Sequence, residues 1–241
     1  MAARVAVKSL DAMVLAGGFG TRLGGLIGQT PKPMAAIRGR PFLDLLVDDL
    51  VAQKVTRIIL CVGYLREQIV AHYRARSDAE ILFSEETVPL GTGGAVKGAA
   101  RLVRSDQVLI LNGDSYCNVR IGDFFAFHES KMAEISMVLA NSGSRVDAGS
   151  VDVAGDGRIL RFVEKSAASR TPFINAGIYL MPRSLPATWT FPVPFSLEND
   201  VFPRAALNGK CFGFRVESEL IDIGTPDRYR EAQDRLAGKA C

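Results

Sequence analysis

The stretch Leu15-Ala16-Gly17-Gly18-Phe19-Gly20-Thr21-Arg22-Leu23, followed by Pro31-Lys32-Pro33, decides how this chain is read. Residues 12–16 are apolar and break abruptly into glycines, the pattern of a buried strand entering a tight loop. Glycines let backbone N–H groups come close to an anion. Arg22 and Lys32 then supply a guanidinium fork and a point charge, the two groups best suited to neutralise phosphates. No G-K-[ST] follows, so this is not a Walker A loop. The third glycine of the dinucleotide fingerprint is also missing.

Outward from this loop, short apolar runs alternate with helical patterns. Residues 41–54 carry Phe42, Leu45, Leu46 and Leu50 at helical spacing. Strands are expected at 57–63, 79–84, 107–111 and 134–140, with helices at 65–75, 91–103 and 121–132 between them. That alternation predicts right-handed βαβ units and a mainly parallel mixed sheet, a three-layer Rossmann-like α/β fold. Past Asn141 the rhythm changes. Residues 150–153 and 159–164, joined by Gly155-Asp156-Gly157, read as a hairpin. Residues 173–180 form a strand, 196–207 a helix, and 211–223 one long strand or a pair. Thr225 as N-cap and Pro226 at the first helical position open the last helix. A single domain over 1–241 is expected, with a nucleotide-binding part about 11–140 and a sugar-binding part about 141–224. Ligands of open α/β sheets bind outside the carboxyl ends of the strands. Four ends are therefore of interest: after Leu15, at Val62-Gly63-Tyr64-Leu65, at Ser84-Glu85-Glu86 and at Leu111-Asn112-Gly113-Asp114.

Composition narrows the class. The 241 residues are 48% hydrophobic and 23% charged, an ordinary globular balance that excludes a disordered chain. Lys and Arg number 29 against 26 Asp and Glu, interleaved, so no nucleic-acid footprint is expected. The two histidines, His72 and His128, are too few for a His-rich metal site, and both read as helix-surface residues. The four cysteines make no CxxC pair, and three sit in apolar runs as small hydrophobes, which fits a reducing cytoplasm. Residues 1–10 lack the apolar core of a signal peptide, and no membrane span is expected. Phe124, Phe125, Phe127 and Trp189 are candidates for core packing or for a homo-oligomer interface.

With Pro41 closing the segment that begins at Pro31, the glycine loop resembles the signature of the sugar nucleotidyltransferases, the NDP-sugar pyrophosphorylases. Gly25 replaces a proline frequent there. Four further segments extend the resemblance over nearly the whole chain. Pro89-Leu90-Gly91-Thr92-Gly93-Gly94-Ala95, with Glu86 before it, is similar to the family's base-binding loop. The resemblance implies a nucleoside triphosphate held by Leu15, Ala16, Gly17, Gly18, Gly20, Thr21, Glu86, Gly91 and Thr92. A carboxylate only accepts hydrogen bonds. Guanine presents adjacent N1–H and N2–H donors, whereas uracil and thymine offer one N3–H between carbonyls. Glu86 therefore favours GTP. Asp114 ends a buried strand, a natural place for a Mg²⁺ carboxylate. Ile221-Asp222-Ile223-Gly224-Thr225-Pro226 matches the family's second metal segment, so Asp222 is the expected partner.

The last match is Phe162-Val163-Glu164-Lys165 with Asn175-Ala176-Gly177. The resemblance implies a sugar 1-phosphate held by Asn112, Gly149, Glu164, Lys165 and Asn175, with Arg22, Lys32 and Lys165 catalytic. Ser196-Leu197-Glu198 resembles another family segment and is expected to be structural. Asp147-Ala148-Gly149 stands where related sequences carry Arg-Tyr-Gly, which enlarges the sugar edge. The neighbouring Ser144 and Arg145 are no assumed substitute. The expected reaction is nucleotidyl transfer giving a GDP-sugar and pyrophosphate. Within the family the chain most resembles the branch acting on D-glycero-α-D-manno-heptose 1-phosphate. Mannose 1-phosphate, or UTP or dTTP with glucose 1-phosphate, are the alternatives. A metal-dependent glycosyltransferase normally shows an Asp-x-Asp pair, and a silent sugar-nucleotide sensor normally loses the Arg or the metal carboxylates; neither pattern is found here.

Overall fold

The computed structural model describes residues 10–141, 150–163 and 172–240. Its central element is a mixed sheet. Strands β1 (Asp11–Leu15), β4 (Arg57–Val62), β5 (Glu80–Glu85) and β6 (Gln107–Asn112) are parallel, in the spatial order β6-β1-β4-β5, while β2 (Ala36–Ile37) and β3 (Arg40–Pro41) pair apart from it. The chain therefore grows to one side of β1 and then returns to the other. The gap between β1 and β6 is the topological switch point where such sheets open a ligand crevice. Beyond β6 the sheet turns antiparallel. β11 (Phe173–Pro182) pairs with β6 and with β8 (Ile135–Asn141), and β12 (Cys211–Arg215) runs parallel to β8. The hairpin forms as expected from β9 (Ser150–Val153) and β10 (Ile159–Val163).

Alternate residues of the central strands face opposite layers, as the two-residue period requires. Ala12, Val14, Ile58, Leu60 and Leu109 pack with Leu43, Leu46 and Leu50 of helix Phe42–Ala52. Met13, Ile59, Val108 and Ile110 pack with Ala95, Val96 and Ala99 of helix Gly91–Ala99. Both faces are covered, which explains why these strands read as unbroken apolar runs. Helix Pro226–Arg235 starts as anticipated, Thr225 accepting the Arg228 N–H at its N-cap. Phe124 and Trp189 are buried, and Phe127 packs against Phe214 at 5.2 Å between ring centroids.

Two readings change, and one is decided between its alternatives. The segment at 211–223 is the pair rather than one long strand, and its two members lie in different sheets. After β12, residues Ile221–Asp222 (β13) pair antiparallel with Ser115–Tyr116 (β7). The expected 196–207 helix is a π turn, Leu197–Val201, running into helix Phe202–Leu207. His128 is not a surface residue but 2% exposed. It lies on helix Ile121–Ser130 in line with Ile121 and Phe124, so the i, i+3, i+7 face takes it into the core. Its Nδ1 is 2.8 Å from Ser136 Oγ, and Nε2 is buried without a partner among the described residues. His72, in contrast, is exposed beside Asp44.

Burial lowers the His128 pKa to about 4. The unfolded chain takes up this proton near the ordinary value, the folded chain only near 4. The stability that neutral His128 supports is therefore complete above the ordinary value and lost as pH falls towards 4, amounting to about 3 kcal/mol. His128→Leu is expected to flatten the fall in urea-melt stability across that window. An unchanged pH slope would show that His128 does not cause it.

Candidate active site

The carboxyl ends of β6, β1, β4 and β5 open into one cavity of about 460 Å³. Leu15, Gly17 and Gly18 come from the first loop, and Lys32 from the Lys32–Met34 turn. Cys61, Gly63, Tyr64 and Arg66 follow β4, and Glu86 follows β5. Gly91 and Thr92 open a helix, and Asn112 and Asp114 end β6. Nine residues expected to touch ligand thus share one space. Ala16 is buried behind it, its N–H bonded to the Cys61 carbonyl. Gly20, Thr21 and Arg22 sit on the rim side of the loop, Arg22 exposed and without an ion pair among the described residues. Gly149, Glu164 and Lys165 lie outside the described residues, as do Ser144, Arg145, Asp147 and Ala148.

The loop is shaped by close approaches. A Cβ on Gly20 (φ +61°) would sit 2.8 Å from the Lys32 Cβ, so this glycine and Lys32 pack directly. A Cβ on Gly18 would meet nothing within 4 Å. Gly18 itself lines the cavity. Lys32 is only 9% exposed, and its Nζ lies 2.5 Å from Asp114 Oδ2. Gly113 donates its N–H to the Leu15 carbonyl at 2.9 Å, where β1 and β6 part.

Asp222 reaches this region through strand pairing. β13 places Asp222 opposite Ser115, and the Ile223 N–H donates to the Asp114 carbonyl at 3.0 Å. The Asp222 carboxylate accepts the Gly224 N–H at 2.8 Å and faces Arg228 at 3.4 Å. The pairing brings the backbones of Asp114 and Asp222 close together, each carboxylate lies beside a basic group, and carboxylate oxygens are the ligand type that a hard cation takes. Among the described residues no group of three or more His, Cys, Asp or Glu gathers, so any cation here would take its remaining ligands from phosphate and water.

At the other end of the cavity, Glu86 is half-buried and its carboxylate accepts the Leu90 N–H at 3.2 Å. A Cβ on Gly17 would be 3.2 Å from Glu86 Oε1, so the glycine leaves this carboxylate open to the cavity. Burial raises the Glu86 pKa. Cys61 beneath it is pushed up to about 12, chiefly by burial and secondarily by Glu86, which keeps it a neutral floor rather than a nucleophile. The rings of Phe19 and Tyr64 form the mouth, their centroids 5.4 Å apart. Phe19, Tyr64 and Arg66 were not expected as site residues, although Tyr64 and Arg66 follow a strand end already singled out.

Thr92, at the cavity wall, and Asn175 are both held by hydrogen bonds to neighbouring segments. Thr92 Oγ1 donates to Glu198 Oε2 at 2.6 Å and accepts the Leu197 N–H at 2.9 Å. Asn175 accepts the Gly177 N–H at 2.9 Å and donates to the Tyr179 hydroxyl at 2.7 Å. Glu198 joins the two groups through Tyr179, in keeping with its expected structural role. Asn112 lies beneath Gly177 with its Oδ1 buried and unpartnered among the described residues, an acceptor beside the cavity.

A switch-point sheet with a glycine loop, and a buried lysine paired with a strand-end carboxylate, is the framework of a nucleotidyl-transferring enzyme. The chain belongs to the nucleotidyl transferase family, whose profile matches residues 11–238. It is 35% identical over 94% of its length, and 98% of the relative's, to D-glycero-alpha-D-manno-heptose 1-phosphate guanylyltransferase of Aneurinibacillus thermoaerophilus. It is 32% identical over 98% of its length, and 67% of the relative's, to mannose-1-phosphate guanylyltransferase of Mycobacterium tuberculosis. Among solved structures it resembles HddC from Yersinia pseudotuberculosis complexed with GMP-PN, with a TM-score of 0.82, 32% identity and coverage of 94% and 99% of the two chains. A glucose-1-phosphate thymidylyltransferase-like structure from Bacillus anthracis, at 17% identity and TM-score 0.84, shares the fold. No helix among the described residues is long and apolar enough to cross a membrane.

Proposed function

We propose that the protein joins GTP to a sugar 1-phosphate, releasing pyrophosphate and a GDP-sugar, with D-glycero-α-D-manno-heptose 1-phosphate as the sugar. The observation that carries the nucleotide choice is Glu86, an acceptor-only group open to the cavity at the end away from Lys32 and Asp114. The heptose follows from the likeness to the Aneurinibacillus enzyme. Mannose 1-phosphate is the second reading, supported by the mycobacterial relative.

A phosphate oxygen of the sugar phosphate attacks the α-phosphorus of GTP. The bond from that phosphorus to the bridging oxygen breaks, and pyrophosphate departs with the electron pair. No covalent protein intermediate is required, so the protein contributes position and charge. In this reading Lys32 neutralises the α-phosphate, Arg22 holds the departing β- and γ-phosphates, and Lys165 holds the attacking phosphate. Asn112 accepts from a sugar hydroxyl, with Glu164, Asn175 and Gly149 completing that pocket. Asp114 and Asp222 would hold Mg²⁺, which when bound would supply further neutralisation of the phosphates. A cytoplasmic setting is part of this reading, supported by the free buried Cys61, Cys117 and Cys211.

Pyrophosphate release, crossing GTP, UTP, dTTP, CTP and ATP with heptose, mannose and glucose 1-phosphates in Mg²⁺, tests it. Activity confined to GTP is the expected result; activity only with UTP or dTTP would overturn the choice of base. Glu86→Gln is expected to lower kcat/KM for GTP at least ~10-fold and to raise it for UTP, because an amide both donates and accepts. The wild-type KM for GTP should rise as pH falls, beginning above the usual carboxylate range, because buried Glu86 protonates early and then loses an acceptor. In Glu86→Gln that rise should vanish. A rise that persists would assign it to another group.

A further inference from the structure

We propose that Arg66 reads the O6/N7 edge of guanine, next to the N1/N2 edge taken by Glu86. The inference deepens the guanine reading and rests on it. Arg66 opens helix Arg66–Tyr73, and the residue before it, Leu65, is in the left-handed region at φ 52° and ψ 33°. A non-glycine residue there costs roughly 1–2 kcal/mol and persists only where its surroundings impose it. The kink is closed by the Arg66 N–H donating to the Gly63 carbonyl at 3.2 Å. Its consequence is that Arg66 leaves the strand end against the cavity wall rather than along the outer helix face.

The guanidinium is anchored through Nη1 and Nε. Nη1 donates to the Glu86 backbone carbonyl at 3.0 Å, and Nε lies 3.2 Å from Glu85 Oε2 and 3.7 Å from Oε1 of Glu67 on its own helix. These contacts tie the arginine to the two residues at the end of β5. They also divide the labour between the adjacent acids: Glu85 faces the arginine, and Glu86 faces the cavity. No partner is seen for Nη2 among the described residues, and the side chain is 32% exposed while lining the cavity. A planar donor fork is thus held beside an acceptor-only carboxylate.

Guanine carries the complementary pattern along one face. Its N1–H and N2–H donors adjoin the O6 and N7 acceptors, and arginine is the side chain that best matches O6 and N7. Adenine places a donor where O6 would be and an acceptor at N1, so it is rejected on both edges. A merely structural arginine, holding the strand end, would affect every nucleotide alike. A reading arginine would be sensitive to single atoms of the base.

Calorimetric titration with Mg²⁺ and no sugar phosphate separates these cases. The ligands are GTP, 7-deaza-GTP, which lacks N7, 6-thio-GTP, which weakens the O6 acceptor, ITP, which lacks the 2-amino group, and UTP. Wild type is expected to bind 7-deaza-GTP and 6-thio-GTP ~10-fold more weakly than GTP. In Arg66→Met both penalties should fall to about one, while the GTP-to-ITP ratio, set by Glu86, stays. Arg66→Lys, which keeps one donor, should retain part of the 6-thio penalty and supports the proposal should the methionine variant fail to fold. Unchanged 7-deaza and 6-thio penalties in either variant overturn the role of Arg66 while leaving the Glu86 reading intact. A wild type that binds UTP as well as GTP overturns both.

Discussion

Asp114→Asn is expected to lower turnover at least ~100-fold, the scale on which groups that stabilise charge during reaction act. The side chain is not buried deeply enough for this to be a folding defect. It is 40% exposed, against 11% for the Lys32 side chain it contacts. The substitution removes the charge that neutralises a buried ammonium at 2.5 Å. Two consequences follow. Lys32 loses the partner that holds its Nζ at the β6 end, and the cation proposed to sit with the phosphates loses one of its proposed ligands. Steady-state pyrophosphate release, beside a thermal melt, checks the expectation. The melting temperature should move by a few degrees while kcat collapses. Turnover close to wild type would remove Asp114 from the reaction. Lys165→Ala is expected to cost as much if Lys165 holds the attacking phosphate.

Gly91→Ala should produce the largest loss of stability. Gly91 has φ +74°, and a Cβ there would stand 2.3 Å from the Phe195 carbonyl oxygen and 2.9 Å from its carbon. Both are backbone atoms and cannot swing aside. Left-handed strain and overpacking together amount to about 3–5 kcal/mol. For a chain of this size that lowers Tm by roughly 6–20 °C. The same carbonyl accepts the Gly93 N–H at 3.1 Å, so displacing it also loosens the helix start that lines the cavity. Gly18→Ala is the contrasting case. With open space around the added carbon, it should leave Tm nearly unchanged yet weaken GTP binding, since Gly18 lines the cavity. Equal melting temperatures for the two variants would refute the distinction between packing and ligand-facing glycines.

Most of the fold was legible because its signals are local. Apolar runs of strand length, helical spacing at Phe42, Leu45, Leu46 and Leu50, the Gly155-Asp156-Gly157 turn and the Thr225-Pro226 cap all lie within a few residues of the structure they dictate. The carboxyl ends of β1, β4, β5 and β6 could be identified as the functional edge for the same reason, once the strands were known to be parallel. Burial faces were less secure. His128 looked polar by neighbourhood, but its face was settled by the sheet it packs on, and Ser136 completes its contact from a strand.

What the sequence determined by itself was the alternation of elements, the glycine loop with its two cations, and the chemical types gathered at four strand ends. Family likeness added the roles expected of them. Only the tertiary structure decided which of these groups meet. Asp222 comes to Asp114 by the pairing of β13 with β7, two strands of two residues each, too short to carry a periodic signal. Thr92, Glu198, Tyr179 and Asn175 join from separate segments into one hydrogen-bond chain. Arg66 meets Glu86 because β4 and β5 are neighbours and Leu65 turns the chain between them. Local periodicity reports which face of an element is apolar, whereas contacts between distant segments depend on how buried faces stack, and no run of neighbouring residues encodes that.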